Sequence, residues 1–366
     1  MIKSLVILMF SLPAFSLVIT EDMRWKEYEH GAYQYLPPMG SEKVVNKVEV
    51  KTNPIVRDQD GFGTCYLFAM TSLMDQSCLK SGNCSKDDQI SVLDVLGKTQ
   101  LKSGNQSEFL GLNGGNLSQV IDALTKGEKV SLKFAKEECA PYQQIENFNN
   151  PDNDFRIVDY PQLLAINEIY HQVKDNSLKD GVCNKCSEDF FKDFFPFSSE
   201  MLDNLSRAAT RITSINAFEE FLNEVLIPKK CQEDKSQVKL PPIGFKQERI
   251  TDVDTFRKKM TELFEKDKSA AISSCTWTRY CDDPSVRYME MCPKEQRQRY
   301  CGGHAYLLSG FRKICDDQNK CRNQYRVHNS WGKNFDVFND SGWVNEDSLF
   351  KAYKDLGNQL VTYTED

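Results

Sequence analysis

Cys65 is the residue of this sequence with the clearest potential for nucleophilic chemistry. It follows Gly61-Phe62-Gly63-Thr64, which interrupts the chain, and it begins a mostly apolar run over 65–74. Apolar residues on nearly every side predict a buried helix with Cys65 in its first turn, where the helix dipole and free amides lower the pKa of a thiol. A thiolate nucleophile also needs a histidine to carry a proton and hydrogen-bond donors for an oxyanion. The alternative is a buried cysteine that only packs at a helix start.

Three separated segments contain the residue types that this chemistry requires. They are Val56–Ala69 with Gln59 and Cys65, Cys301–Phe311 with His304, and Tyr325–Gly332 with Asn329 in an intact Asn-Ser-Trp-Gly sequence. Their residues and their order resemble the active-site segments of the papain (C1) family of cysteine peptidases. Phe62 and Thr64 depart from the family's local pattern around the cysteine.

The resemblance implies a role for each of these side chains. Cys65 is expected to be the nucleophile and His304 its general base, with Asn329 accepting a hydrogen bond that fixes the histidine tautomer. The side-chain amide of Gln59 and the backbone N–H of Cys65 would form the oxyanion hole. Trp331 would shield the His–Asn hydrogen bond from water. Such a site uses no cofactor and no metal.

A fourth segment, Gly111–Gly115, resembles the G-C-N-G-G sequence with which the family pairs an extended peptide substrate. The resemblance favours a hydrophobic side chain at the second substrate residue before the scissile bond. The implied substrate-contacting residues are Gly114, Gly115, Leu117, Gly303, Ala305 and Trp331.

One family disulfide is missing from this sequence. The family joins the cysteine of G-C-N-G-G to the cysteine three residues before the nucleophile, and these positions are Leu112 and Phe62 here. Both cysteines are replaced by apolar residues, so we expect a Phe62–Leu112 contact in place of the disulfide.

The elements that must position these residues are of mixed type. Hydrophobic periodicity predicts helices near 89–96, 117–124 and 252–264, and strands near 44–50, 305–310, 325–329 and 342–344. The resemblance implies an α+β, papain-like two-lobed fold with a helical left lobe, a β-barrel-like right lobe and a helical insertion. The expected divisions are a signal peptide at 1–16, an N-terminal extension at 17–40, the left lobe at 41–142, the insertion at 143–250 and the right lobe at 251–366.

Two expectations concern the added and missing parts of such a fold. Cys65 and His304 are much further apart than the ~130–150 residues usual in the family, and the extra residues form the insertion at 143–250. It could restrict the cleft, recruit a substrate or only cover the surface. The segment 17–40 is too short for the family's usual helical prosegment, so either control of this type is lacking or the insertion blocks the cleft.

Composition and leader sequence indicate an exported protein. Hydrophobic residues make up 40% of the 366, enough for a large core, and the net charge of −7 argues against nucleic-acid binding. Lys3 followed by an apolar run to Phe15 resembles a signal peptide, which predicts a secreted, extracellular, periplasmic or lysosome-like location. An uncleaved anchor over Ser4–Thr20 is the alternative, but Pro13 and its short length disfavour a span.

The cysteine count agrees with an oxidising compartment. Of thirteen cysteines, twelve can pair, and one must stay reduced. Short separations favour three disulfides: Cys78–Cys84, Cys281–Cys292 and Cys315–Cys321. Zinc at Cys183-x-x-Cys186 is a rival interpretation that lacks a second ligand pair.

Several functional alternatives stay open at this level. The protein could be a catalytically silent member of the family that binds peptides, as Thr64, Tyr66 and the missing disulfide suggest, or another Cys–His enzyme such as a cell-wall amidase. His328 competes with His304 for the role of base, but strand alternation directs it to the opposite face from Asn329. His30 and His171 lie outside all motifs. The expected partner is a peptide or protein substrate, without stable membrane insertion, and the oligomeric state is open.

Overall fold

The computed structural model describes residues 38–59, 63–99, 114–142, 161–180, 191, 199–215, 218–281, 297–332 and 340–365. Within these ranges the chain contains both helices and strands, as expected for an α+β protein. The helices are α1 (Cys65–Lys80), α2 (Val92–Thr99), α3 (Leu117–Thr125), α4 (Pro161–Asp180), α5 (Ser199–Thr210), α6 (Phe218–Leu226), α7 (Val253–Glu265) and α8 (Glu346–Asp355). The strands are β1 (Lys43–Glu49), β2 (Lys133–Ala135), β3 (Gln237–Lys239), β4 (Phe245–Arg249), β5 (Ala270–Cys281), β6 (Arg297–Cys315), β7 (Cys321–His328), β8 (Trp343–Asn345) and β9 (Leu360–Thr364).

Local sequence explains where two of the helices begin. The side chain of Asn116 accepts a hydrogen bond from the backbone of Gln119, and the Gln119 side chain accepts one from the Asn116 backbone, which is a capping box at the start of α3. Asp252 caps α7 by accepting from the backbone N–H of Thr255 at 2.8 Å. Each cap satisfies amide groups that the first helical turn would leave without partners.

The large sheet provides the rigid support for the C-terminal half of the chain. Its strand order is β4-β9-β5-β6-β7-β8, and β1 also pairs with β6. The pairings of β1, β5 and β7 with β6 are all antiparallel. Among the described residues the path from β4 to β8 does not close on itself. The sheet is therefore open, where the sequence suggested a barrel-like lobe.

The described part of the 143–250 segment shares the core of the N-terminal half. Side chains of α4 and α6, such as Ile166 and Phe221, belong to the same buried cluster as Leu67 and Phe68 of α1. Leu307 of β6 belongs to the same cluster. The segment ends in β3, which pairs with β2, and β4, which pairs with β9. Its end is thus strand rather than helix, and its helices are integral to the core.

Four disulfides are present among the described residues: Cys78–Cys84, Cys139–Cys231, Cys275–Cys301 and Cys315–Cys321. Two of them are short-range pairs expected from the sequence. Of the third expected pair, Cys281–Cys292, only Cys281 is described, and both Cys183 and Cys186 lie outside the described residues. The other two observed disulfides link residues distant in sequence. Within the described ranges, Cys65 is the free cysteine.

No helix in the described part of the chain is long and apolar enough to cross a membrane. The signal sequence expected at 1–16, the alternative anchor over 4–20 and all but the last three residues of the extension expected at 17–40 lie outside the described residues.

Candidate active site

Cys65 is the first residue of α1, and its thiol is enclosed. The side chain is 8% exposed, and the helix that it begins packs against β6. The lowered pKa expected for Cys65 from its place at a helix start is wrong, because burial raises the pKa of this thiol. Hydrogen bonding from the backbone of Ala305 on β6, and from the backbone of Tyr66 and of Cys65 itself, favours the thiolate and opposes this effect. The sulfur therefore lies at the junction of the helix start and the strand that carries His304.

His304 and Asn329 are held together by a direct hydrogen bond. His304 Nε2 and Asn329 Oδ1 are 2.7 Å apart, and both residues are buried. The same Oδ1 accepts the backbone N–H of Ser330 at 2.8 Å, which identifies it as the carbonyl end of the amide. Because that atom can only accept, the Nε2 of a neutral His304 carries the hydrogen and its Nδ1 is left as the base.

Trp331 covers this pair. Its ring stacks on the imidazole of His304 with ring centres 4.5 Å apart and planes 23° apart, and it is 5% exposed. Burial lowers the pKa of His304 to about 4, against the raising effect of its bond to Asn329. The lowered pKa of His304 and the raised pKa of Cys65 favour a neutral imidazole and a thiol at neutral pH.

Gln59 is fixed next to Asn329 by a short backbone pairing. The Gln59 N–H donates to the Ser330 carbonyl at 2.8 Å, and Asp58 and Trp331 form an antiparallel bridge. The Ser330 hydroxyl donates to Gln59 Oε1, so the amide carbonyl faces Ser330 and the amide nitrogen faces away from it. Gln59 is 6% exposed and is therefore buried, like His304 and Asn329.

Gly332 is required for this pairing. Its N–H donates to the Arg57 carbonyl at 3.0 Å, and its φ is +75°, a left-handed conformation that glycine adopts without steric cost. A Cβ at this position would also collide with the Asp58 carboxylate. The glycine of the Asn-Ser-Trp-Gly sequence thus permits the chain to turn against 57–59.

Arg57, two residues before Gln59, forms a buried ion cluster with Asp75 and Glu137. Arg57 contacts Asp75 at 2.6 Å and Glu137 at 3.2 Å. Burial raises the pKa of both carboxyl groups, and the Arg57 guanidinium opposes this. The carboxylates also accept backbone N–H groups from Ile90 and Tyr142. The cluster joins α1 to the segments on either side of it.

The residues expected to contact substrate differ in accessibility. Gly115 and Gly303 are exposed and Gly114 is partly exposed, whereas Leu117, Ala305 and Trp331 are buried. Gly114 has a φ of +137°, and the ring of Tyr66 lies directly beneath Gly115, where a Cβ would be 2.5 Å from a ring carbon. The expected Phe62–Leu112 contact lies outside the described residues.

His328 is buried away from the His304–Asn329 pair. It hydrogen bonds to the backbone of Ile55, and burial lowers its pKa to about 4. Among the described residues its Nε2 has no hydrogen-bond partner. This agrees with the packing role that the sequence favoured over a role as base.

Sequence reasoning did not identify three residues whose hydroxyl groups form hydrogen bonds at the Gln59–Cys65 segment. The Ser330 and Tyr142 hydroxyls donate to Gln59, and the Thr64 hydroxyl hydrogen bonds to that of Tyr142. The signal for Ser330 was its place inside the Asn-Ser-Trp-Gly sequence. Tyr142 is the last residue of the expected left lobe at 41–142 and belongs to none of the motifs of the sequence analysis.

Comparison with known proteins gives only distant likenesses. Neither a scan against protein-family models nor a search of curated proteins finds a match. Among solved structures, the chain is similar to xylellain, a cysteine protease from Xylella fastidiosa, with 14% identity, a TM-score of 0.42, and coverage of 91% of this chain and 95% of that one. It is also similar to the digestive procathepsin L 3 of Tenebrio molitor larval midgut, with 12% identity, a TM-score of 0.39, and coverage of 95% and 80%. The proCathepsin B S9 from Trypanosoma congolense matches with 12% identity, a TM-score of 0.37, and coverage of 88% and 79%.

Proposed function

We propose that this protein is a papain-like cysteine peptidase that hydrolyses peptide bonds with Cys65, His304 and Asn329. The observation that carries the proposal is the His304–Asn329 hydrogen bond of 2.7 Å beneath Trp331, on the strand that packs against the start of α1. Cys65 is free at a helix N-terminus, and it hydrogen bonds to the backbone of Ala305, the residue after the oriented His304. This supports the arrangement of thiol and imidazole that acyl transfer needs.

The proposed reaction begins with proton transfer. His304 Nδ1 takes the proton of the Cys65 thiol while the sulfur attacks the substrate carbonyl carbon, giving a tetrahedral oxyanion and an imidazolium. Asn329 keeps the ring in the tautomer that exposes Nδ1, and Trp331 keeps water from its hydrogen bond.

The tetrahedral intermediate then collapses in the usual order of acyl transfer. The imidazolium gives its proton to the leaving amine as the C–N bond breaks, which leaves a thioester on Cys65. His304 next removes a proton from water, the resulting hydroxide attacks the thioester, and the thiol leaves with that proton. In both steps the backbone N–H of Cys65 and the Gln59 amide would donate to the oxyanion.

The proposal includes the expected substrate and location. Exposed Gly115 and Gly303 would pair with an extended peptide, and a hydrophobic side chain would occupy the second position before the scissile bond. Four disulfides among the described residues are consistent with an oxidising compartment, and we propose that the protein is secreted by its N-terminal leader.

The test is labelling by an epoxide-type inhibitor of papain-like enzymes, followed by peptide turnover. We expect stoichiometric labelling of Cys65 that is lost in Cys65→Ser and strongly slowed in His304→Gln. His328→Gln is the matched control, since it removes the neighbouring buried histidine and should label at the wild-type rate.

Two outcomes would contradict the proposal. Absence of labelling between pH 5 and 8 would favour a silent peptide-binding protein. Equal slowing by His304→Gln and His328→Gln would show that His304 has no special role.

A further inference from the structure

The Tyr142 hydroxyl lies between the two backbone segments that carry the proposed oxyanion donors. It donates to the Gln59 carbonyl at 3.1 Å and is 2.8 Å from Thr64 Oγ1. Gln59 carries one proposed donor, and Thr64 directly precedes Cys65, whose N–H is the other. One hydroxyl group therefore spans both sides of the proposed oxyanion hole.

The direction of these two bonds follows from their chemistry. A backbone carbonyl can only accept, so the single proton of Tyr142 goes to Gln59. The Thr64 hydroxyl must then donate to the Tyr142 oxygen. The three groups form a chain in which every proton has an assigned acceptor, and all three residues are buried.

The Thr64 side chain takes part in this chain of hydrogen bonds and does not cap α1, although Thr64 is the residue before that helix. The Thr64 carbonyl accepts the N–H groups of Leu67 and Phe68 at 2.8 and 3.1 Å. A threonine at this position usually caps the helix with its side-chain oxygen, but here the side chain makes no capping bond. The hydroxyl is directed to Tyr142 instead.

Tyr142 is itself held from three directions. Its ring meets the ring of Phe68 edge-on, with centres 4.7 Å apart. Its N–H donates to Glu137 of the buried ion cluster at 2.7 Å. Three residues earlier, Cys139 is joined by a disulfide to Cys231. The hydroxyl is thus a fixed point to which the donor segments are attached.

From these contacts we infer that Tyr142, through Thr64, is a positioning residue that sets the separation of the two oxyanion donors. The inference rests on the proposed function and deepens it. In this role Tyr142 acts through Gln59 and the start of α1 rather than on the reacting atoms. Its loss should weaken stabilisation of the tetrahedral oxyanion without impairing the thiol–imidazole pair.

The experiment separates these two effects by using two probes of the same cysteine. A peptide aldehyde adds to Cys65 to form a tetrahedral hemithioacetal whose oxygen occupies the oxyanion hole. Iodoacetamide alkylates the same sulfur by displacement at a CH₂ group, a reaction that has no carbonyl oxyanion. We expect Tyr142→Phe to reduce kcat and aldehyde affinity about 10-fold, less than the ~100–1,000-fold lost when an oxyanion donor is removed outright. KM and the alkylation rate should stay near wild type.

Matched variants control for loss of a buried hydroxyl. Tyr325→Phe removes a buried hydroxyl that bonds Glu346 at 3.1 Å, and it should leave kcat unchanged. Thr64→Val should lower kcat and aldehyde affinity as Tyr142→Phe does, whereas Thr64→Ser, which keeps the hydroxyl, should retain both. These variants also decide the question if Tyr142→Phe fails to fold.

A double-mutant cycle tests the route of action. If Tyr142 acts through Gln59, the Tyr142→Phe change should have much less effect in a Gln59→Ala background.

Three results would overturn the inference: wild-type kcat in both Tyr142→Phe and Thr64→Val, equal loss of aldehyde affinity and alkylation rate, or full additivity with Gln59→Ala. A wild-type protein that cleaves no peptide and forms no aldehyde adduct would overturn the proposed function as well, so the two failures are distinguishable.

Discussion

The buried histidine beside the site should make the stability of this protein sensitive to acid. His328 is 8% exposed, and burial is the main cause that lowers its pKa from 6.5 to about 4, with Arg326 and Arg57 acting in the same direction and the bond to Ile55 opposing them. Between these two pH values the unfolded chain binds a proton that the folded protein does not. The stabilising contribution is therefore complete above pH 6.5 and is lost as the pH falls towards 4.

The size of the effect follows from the two pKa values. The shift from 6.5 to about 4 corresponds to about 3 kcal/mol over the full range, at ~1.36 kcal/mol per pH unit. Between pH 7 and pH 5 the loss is about 2 kcal/mol by the same linkage relation. His304, whose pKa burial also lowers to about 4, contributes a similar amount, so the two histidines together account for about 4 kcal/mol.

The variant His328→Gln isolates the contribution of His328 to the loss of stability in acid. Glutamine does not titrate, so the pH dependence that His328 adds to the free energy of unfolding disappears while that of His304 stays. Urea unfolding at pH 7 and pH 5 should show a loss of stability that is about 2 kcal/mol smaller in the variant than in the wild type. Peptide turnover serves as a check that the site is intact. If both proteins lose the same stability between pH 7 and pH 5, burial of a neutral His328 is refuted.

Three further perturbations test contacts around the site. Replacing Cys139 and Cys231, 92 residues apart, by alanine should destabilise the protein by about 4–5 kcal/mol through the entropy of the unfolded chain; an unchanged calorimetric Tm would contradict this. Gly115→Ala forces a Cβ against the Tyr66 ring and should cost about 1–3 kcal/mol, measured as a lower Tm, whereas a Tm equal to wild type would show that the ring can move. Arg57→Met should cost about 3–5 kcal/mol in urea unfolding at pH 7, because it leaves the carboxylates of the buried ion cluster without a cation. That deficit should shrink at pH 5 as these carboxylates take up protons, and a deficit independent of pH would argue against a charged cluster.

The sequence predicted best where a residue's role depends on its immediate neighbours. The helices α3 and α7 followed from hydrophobic periodicity, and the structure shows the side-chain caps at Asn116 and Asp252 with which they begin. The positions of β6, β7 and β8 followed from their apolar, β-branched and aromatic runs. The short-range disulfides Cys78–Cys84 and Cys315–Cys321 followed from small separations.

The same reasoning could not reach features made by distant segments. Cys139–Cys231 joins residues on either side of the long helical segment, and nothing in the spacing distinguishes that partner from other cysteines. The sequence predicts 143–250 to be an addition with an open role, yet its described helices share the core of α1. Which apolar face meets which partner depends on chain topology rather than on periodicity.

For the candidate site, the sequence by itself determined the chemical inventory: one odd cysteine at a predicted helix start, and segments containing His304, Asn329 and Gln59. These are properties of residue type and order, which a resemblance between motifs can carry. The tertiary structure decided the geometry: the His304–Asn329 bond under Trp331, the Gln59–Ser330 pairing, and the Tyr142 hydroxyl between Gln59 and Thr64. Each of these contacts joins segments separated by tens to hundreds of residues. Local pattern cannot specify such contacts, because they exist only once the sheet and α1 have packed together.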